Sequence, residues 1–151
     1  GIDNPLCTDT ADYIYDKCNE QLSTNEFRPQ QLISRSNVEV ICTTDAPMDE
    51  LNHHKYLSEN FKNCKVLPTF RPDNFIEIKS PAYREYISIS KIKSYSDLLK
   101  TITKRIEYFN SAGCRLADHS LCSVPFAKGD ASEIFEKVMN GGRIPDYEAD
   151  V

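Results

Sequence analysis

The stretch Asn37 to His54, NVEVICTTDAPMDELNHH, passes within a few positions from an apolar run to a polar cluster and then to a helix-like segment. Val38, Val40, Ile41 and Cys42 read as a short buried strand, with Thr43, Thr44 and Asp45 at its end. Pro47, Asp49 and Glu50 then read as the opening of a helix over about Pro47 to Phe61, its first turn rich in the acids that a helix N-terminus favours. The same order returns twice. Arg71-Pro72-Asp73 closes the apolar run Lys65 to Phe70, and Asp118-His119 closes Cys114 to Ala117. Strands separated by helices pair in parallel through right-handed crossovers, so the expected class is α/β with about three parallel strands and flanking helices. In such folds the strand ends carry the site.

The other elements follow from local signals. Thr8 or Thr10 caps a first helix in which Ala11, Ile14, Tyr15, Cys18 and Leu22 recur at helical spacing. Pro29 begins a short helix with Leu32 and Ile33, and Asn37 ends it. Pro68 removes a ladder donor, so the second strand is short, bulged or irregular near its end. Ser80-Pro81 starts a helical stretch with Tyr83, Tyr86, Ile87 and Ser90 on one side. Ser94-x-x-Asp97 opens the clearest helix, striped by Leu98, Leu99, Ile102, Ile106 and Phe109, and Gly113 sits where a left-handed residue ends it. Asp130-x-x-Glu133 opens a last helix stopped by Gly141-Gly142, and Arg143 to Val151 reads as irregular. The organisation is one α/β unit: a helical part over 1–36, three strand-helix units over 37–122, and a helix and tail over 123–151.

With 151 residues, 40% of them hydrophobic, the chain can bury a single core. A net charge of −5 and a pI near 5.2 leave no basic stripe for nucleic acid, so a small polar metabolite is the expected partner. The six cysteines, 7, 18, 42, 64, 114 and 122, form no CxxC pair and read as reduced and mostly buried. There is no leader-like start and no apolar run near the roughly 20 residues of a membrane helix, so a cytoplasmic protein without membrane contact is expected. A first residue Gly1 rather than methionine fits a processed or excerpted polypeptide.

Among candidate site residues, Arg71 stands first, because a guanidinium fork at a strand end can bind a carboxylate or hydroxyls bidentately; its plain alternative is a turn arginine on the surface. Asp118 and His119 place a carboxylate beside an imidazole, able to polarise a hydroxyl or move a proton, against the alternative of a capped loop with a solvated histidine. Thr44 and Asp45 are candidate substrate contacts, with Asp45 read first as the cap of the Pro47 helix. His53 and His54 point about 100° apart on a helix and read as solvated or packing residues rather than metal ligands.

These stretches resemble the uronate isomerase family, also called glucuronate isomerase, of the amidohydrolase superfamily. Thr10 to Glu20 is similar to the family's TADEIWDRCNE helix, Asn37 to Asp45 to its NVEVVCTTDDP segment, and Leu51, His54 and Lys55 match its LEYHK. Val66 to Asp73 resembles VLPTFRPD, and Gly113 to His119 resembles GCRASDH. Several such strings in order are far more specific than any one. Ala46 and His53 depart from the pattern, where the family has an acid and a tyrosine. The resemblance implies a segment of a (β/α)8 barrel that interconverts D-glucuronate with D-fructuronate and D-galacturonate with D-tagaturonate. It further implies a divalent metal such as zinc, its HxH motif before this segment and its carboxylate ligand after, so no metal ligand is assigned here.

Two readings follow. In the first the chain is the middle of an isomerase, inactive alone. In the second it is a non-catalytic α/β binding or assembly domain, since three strands cannot close an eight-stranded barrel. A longer parent with an upstream HxH separates them. The uncovered strand edges of an isolated piece are expected to aggregate or to form a homo-oligomer.

Overall fold

A computed structural model describes residues 2–120 and 126–151. Its elements run in chain order as α1 (Ala11–Leu22), a 3-10 turn, α2 (Pro29–Arg35), β1 (Val40–Cys42), α3 (Asn52–Asn60), β2 (Lys65–Leu67), α4 (Asp73–Ile76), α5 (Tyr83–Ile89), α6 (Tyr95–Ser111), α7 (Ala131–Met139) and α8 (Asp146–Ala149). The chain is α/β, with helices around a two-stranded parallel sheet in which Val40, Ile41 and Cys42 face Lys65, Val66 and Leu67.

The pairing continues past both strands. Thr43 N–H donates to Leu67 O at 3.0 Å, Asp45 N–H to Thr69 O at 3.1 Å and Arg71 N–H to Asp45 O at 3.1 Å. Pro68, with no N–H to give, marks where regular β2 stops. The expected third strand contracts to a single parallel bridge, Phe70 with Ala117, in which Phe70 N–H donates to Leu116 O and Asp118 N–H to Phe70 O. Residues 69 and 71 thus pair toward β1 while Phe70 pairs toward 116–118. Three parallel segments lie side by side with the 65–71 segment in the middle.

Two apolar clusters flank this sheet. Phe75, Tyr83, Ile87, Ile92, Leu98, Phe135 and Val138 form one, and Leu51, Phe70, Phe109 and Cys114 the other. Helix α6 serves both: the Ser94 hydroxyl caps it by accepting from Asp97 N–H, Leu98 enters the first cluster and Phe109 the second, and Gly113 follows at φ +94. Leu99 and Ile106 of the expected stripe are each 48% exposed. Asp130 caps α7 by accepting from Ser132 and Glu133 N–H.

Other expectations shift. The helix read from Pro47 starts at Asn52 instead, because Leu51 adopts φ 53, with its N–H held by Asp49 Oδ1 at 2.6 Å, and drops its side chain into the core. Thr10 sits at the start of α1, but its hydroxyl turns back to Pro5 O. No residue of α1 is buried; Tyr15 and Leu22 stand exposed. Cys64 and Cys114 are buried and Cys18 half-buried, whereas Cys7 and Cys42 are exposed; all five are free, and Cys122 lies outside the described residues. The tail contains the short α8. Helix α6 also reaches back over the loop between β1 and α3. Arg105 Nε donates to Pro47 O at 2.6 Å, its Nη2 to Asp49 O, and the Tyr108 hydroxyl to Glu50 O at 2.6 Å.

Burial pushes the Tyr83 hydroxyl up to about 12, with Tyr95 adding a smaller push. The folded chain therefore holds this proton above the pH at which the unfolded chain releases it. The resulting stability is complete below the ordinary tyrosine value of 10.0 and drains away as the pH rises to about 12. About 2–3 kcal/mol is lost over that interval. Urea unfolding across it shows a steeper fall in the natural protein than in Tyr83→Phe.

Candidate functional site

Because Arg71 N–H is tied to Asp45 O and Asp118 N–H to Phe70 O, the side chains of Arg71 and Asp118 leave neighbouring segments just beyond the last paired residues. They meet edge to edge: Arg71 Nε donates to Asp118 Oδ1 at 3.3 Å and Nη2 donates to Oδ2. This hydrogen bond to Asp118 holds the guanidinium above its ordinary value, partly opposed by desolvation. The pair uses the Nε and Nη2 edge of the fork. The side chain is 37% exposed, and among the described residues its Nη1 has no hydrogen-bond partner.

Asp73, at the first position of α4, is buried behind this pair. Its Oδ1 meets His119 Nδ1 and accepts Ser120 N–H at 3.1 Å. Its Oδ2 lies 3.1 Å from Arg71 Nε, yet is buried without a hydrogen-bond partner among the described residues. The two observations agree once direction is considered, since the Nε–H points at Asp118 and Asp73 attracts the guanidinium by charge alone. Arg71, Asp118, Asp73 and His119 form one connected group.

A second polar network lies at the end of β1. The Thr43 hydroxyl donates to Asp45 Oδ2 at 2.6 Å and lies 2.7 Å from His54 Nε2; Asp45 Oδ2 also accepts Thr69 N–H at 3.2 Å. An ionised carboxylate only accepts, so the hydroxyl proton goes to Asp45 and His54 donates from Nε2. Asp45 therefore does not cap a helix as expected; it staples β1 to the segment after β2. His54 is buried and bonded, while His53 and Thr44 are exposed. Thr43→Val removes the hydroxyl partner of His54 Nε2 and leaves Asp45 Oδ2 with Thr69 N–H alone, and it is expected to cost about 1–3 kcal/mol in urea unfolding, with Thr43→Ser close to the natural protein.

Among the described residues no three His, Cys, Asp or Glu side chains converge to hold a metal ion. The described residues do not by themselves make a metal centre. No described helix is long and apolar enough to cross a membrane. A cavity of about 890 Å³ has His119 and Ser120 on its wall, while Arg71 and Asp118 are outside its lining. Its remaining walls are mostly apolar side chains and helix ends.

The family model described as glucuronate isomerase matches residues 1–150. The chain belongs to the glucuronate isomerase family. It is 39% identical to a uronate isomerase of Lactococcus lactis over 97% of this chain and 33% of that protein, and 41% identical to one of Clostridium perfringens over 99% and 34%. The crystal structure of a uronate isomerase from Thermotoga maritima superposes with a TM-score of 0.89 at 28% identity, covering 99% of this chain and 35% of that one. The chain spans about a third of the length of the relatives it matches.

Of the five candidate residues in this glucuronate isomerase segment, Arg71, Asp118 and His119 are brought together. Thr44 and Asp45 stand apart from them, Asp45 meeting Arg71 only through its backbone carbonyl. Reasoning from the sequence missed Asp73 and His54. Asp73 had a signal: a carboxylate two residues after a strand-end arginine, at the head of a helical turn, is placed to turn inward. His54 had only its three-residue spacing from the buried Leu51.

Proposed function

We propose that this chain is part of a longer uronate isomerase working in the cytoplasm, in which it supplies adjacent strands of a (β/α)8 barrel and a stretch of its strand-end face. The enzyme interconverts D-glucuronate with D-fructuronate and D-galacturonate with D-tagaturonate by moving a proton between C2 and C1 through an enediol. The observation that carries this reading is the convergence of Arg71, Asp118 and His119 at the ends of neighbouring parallel segments in a chain of this family.

Arg71 binds the uronate carboxylate or its hydroxyls with the free edge of its fork. Asp118 holds that fork in place and is itself 38% exposed, so it can also accept a hydrogen bond from a substrate hydroxyl. Asp118 and His119 are the acid-base groups assigned to the C2 and C1 proton. A divalent metal, zinc first, belongs to the parent enzyme, and its ligands are assigned to parts of that enzyme beyond this group.

The test is turnover of D-glucuronate to D-fructuronate, with and without added zinc, by the full-length parent and the 151-residue chain side by side. Activity in the parent alone supports the reading. Absence of activity in a properly folded parent overturns it and puts the non-catalytic binding or assembly domain in its place.

A further inference from the structure

We infer that Asp73 is a positioning residue: it sets the tautomer of His119, with the proton on Nδ1, and steadies Arg71 from the side opposite the substrate. The assignment of His119 to the reaction rests on the proposed isomerase function; the hydrogen-bonding state of its ring does not.

The argument starts from the carboxylate. Asp73 is 8% exposed and its Oδ1 accepts Ser120 N–H at 3.1 Å; as a carboxylate it can only accept. His119 Nδ1 meets the same oxygen, so Nδ1 must carry the proton. In the neutral ring this leaves Nε2 with its lone pair, able to take a proton. A histidine whose one nitrogen is held by a carboxylate has its ring oriented and its tautomer fixed. Water offers no such preference, so the fixed tautomer is a property of the fold.

The other oxygen serves a different purpose. Asp73 Oδ2 is buried without a directed hydrogen bond and lies 3.1 Å from Arg71 Nε, whose N–H is committed to Asp118. Its negative charge holds the guanidinium between two carboxylates. The geometry also explains why the acid occurs at this position: the first turn of α4 places Asp73 beside Arg71 and against His119, which lies 46 residues further along the chain.

The test uses the full-length protein. Nitrogen-15 spectra with ring-labelled histidine, at mildly alkaline pH, are expected to show His119, assigned by the loss of its signal in H119Q, as the Nδ1–H form. Asp73→Leu, which keeps the volume and removes both oxygens, is expected to lose that preference. In steady-state kinetics on D-glucuronate, D73L loses roughly 10- to 100-fold in kcat with a smaller change in KM. Asp73→Asn keeps an oxygen for Nδ1–H and Ser120 N–H but sets an amide NH2 against Arg71. It retains the His119 tautomer and shows its loss mainly in KM. An Nε2–H form of His119 in the natural protein overturns the inference, as does a folded D73L with unchanged kcat. Should the natural protein show no isomerase activity, the function falls while the spectra still decide the role of Asp73; should D73L fail to fold, the natural spectrum and D73N decide it.

Discussion

On the proposed isomerase function, replacing Arg71 with lysine is expected to lower kcat/KM for D-glucuronate in the full-length protein by about 100-fold, or about 2.7 kcal/mol of transition-state stabilisation. The size follows from what lysine lacks. Arginine presents two edges of paired N–H groups, one given to Asp118 and one proposed to take the substrate, whereas an ammonium is a point charge without either edge. Each charge-assisted hydrogen bond that is lost costs about 1.5–3 kcal/mol, partly recovered by the retained charge. Most of the effect is expected in KM if the fork holds the carboxylate equally in ground and transition states. The fold is expected to tolerate the change, because Arg71 and Asp118 are both more than a third exposed and such ion pairs contribute about 0–1 kcal/mol. Steady-state kinetics together with a thermal melt of R71K checks both. A collapse of the melt without a kinetic defect in the remaining folded enzyme rules out the binding role.

Phe109→Ala is expected to cost about 3–5 kcal/mol, the range for removing a fully buried phenylalanine. Phe109 is 1% exposed and stands edge-on to Phe70, ring centres 5.1 Å apart at 87°. Phe70 is the middle residue of the three parallel segments, bridged to Asp45 on one side and Ala117 on the other. The cavity left by Phe109 therefore opens directly beneath the chain that carries Arg71. Leu99→Ala, on the exposed side of the same helix, is expected to stay within about 0.5–1 kcal/mol. Urea unfolding of the two variants measures the contrast.

The bounds of helix α6 were legible because its signals are local, the Ser94 cap and Gly113 acting within one or two turns of the residues they govern, whereas Leu99 and Ile106 of its stripe lie exposed. The short second strand was legible from Pro68 for the same reason. The start of α3 was not. Pro47, Asp49 and Glu50 resemble a helix opening, but burial of Leu51 wins, and the left-handed turn at Leu51 that delivers it leaves no mark in propensity. The third strand failed because pairing depends on a partner: Arg115, Leu116 and Ala117 are exposed, and only the bridge to Phe70 holds them to the sheet. At the site, Arg71, Asp118 and His119 could be read from their places after apolar runs. Asp73 had only its place two residues after Arg71 to mark it, since its partners, the His119 ring and the Ser120 backbone N–H, lie 46 and 47 residues away. Asp45 was misread for a related reason: its partners Thr69 and His54 lie across the sheet and on the next helix, and a cap was the nearest local use for it.

The grip of Arg105 and Tyr108 on the carbonyls of Pro47, Asp49 and Glu50 has a consequence for the order in which the protein is made. Those contacts join residues 56 and 58 positions apart, so the first strand-helix connection leaves the ribosome well before the side chains that shape it. At about 5–20 residues per second the delay is roughly 3–12 s. During that interval the side chains that hold these carbonyls in the fold have not yet been made. The first unit of the sheet is completed from behind, by a helix synthesised after the second strand.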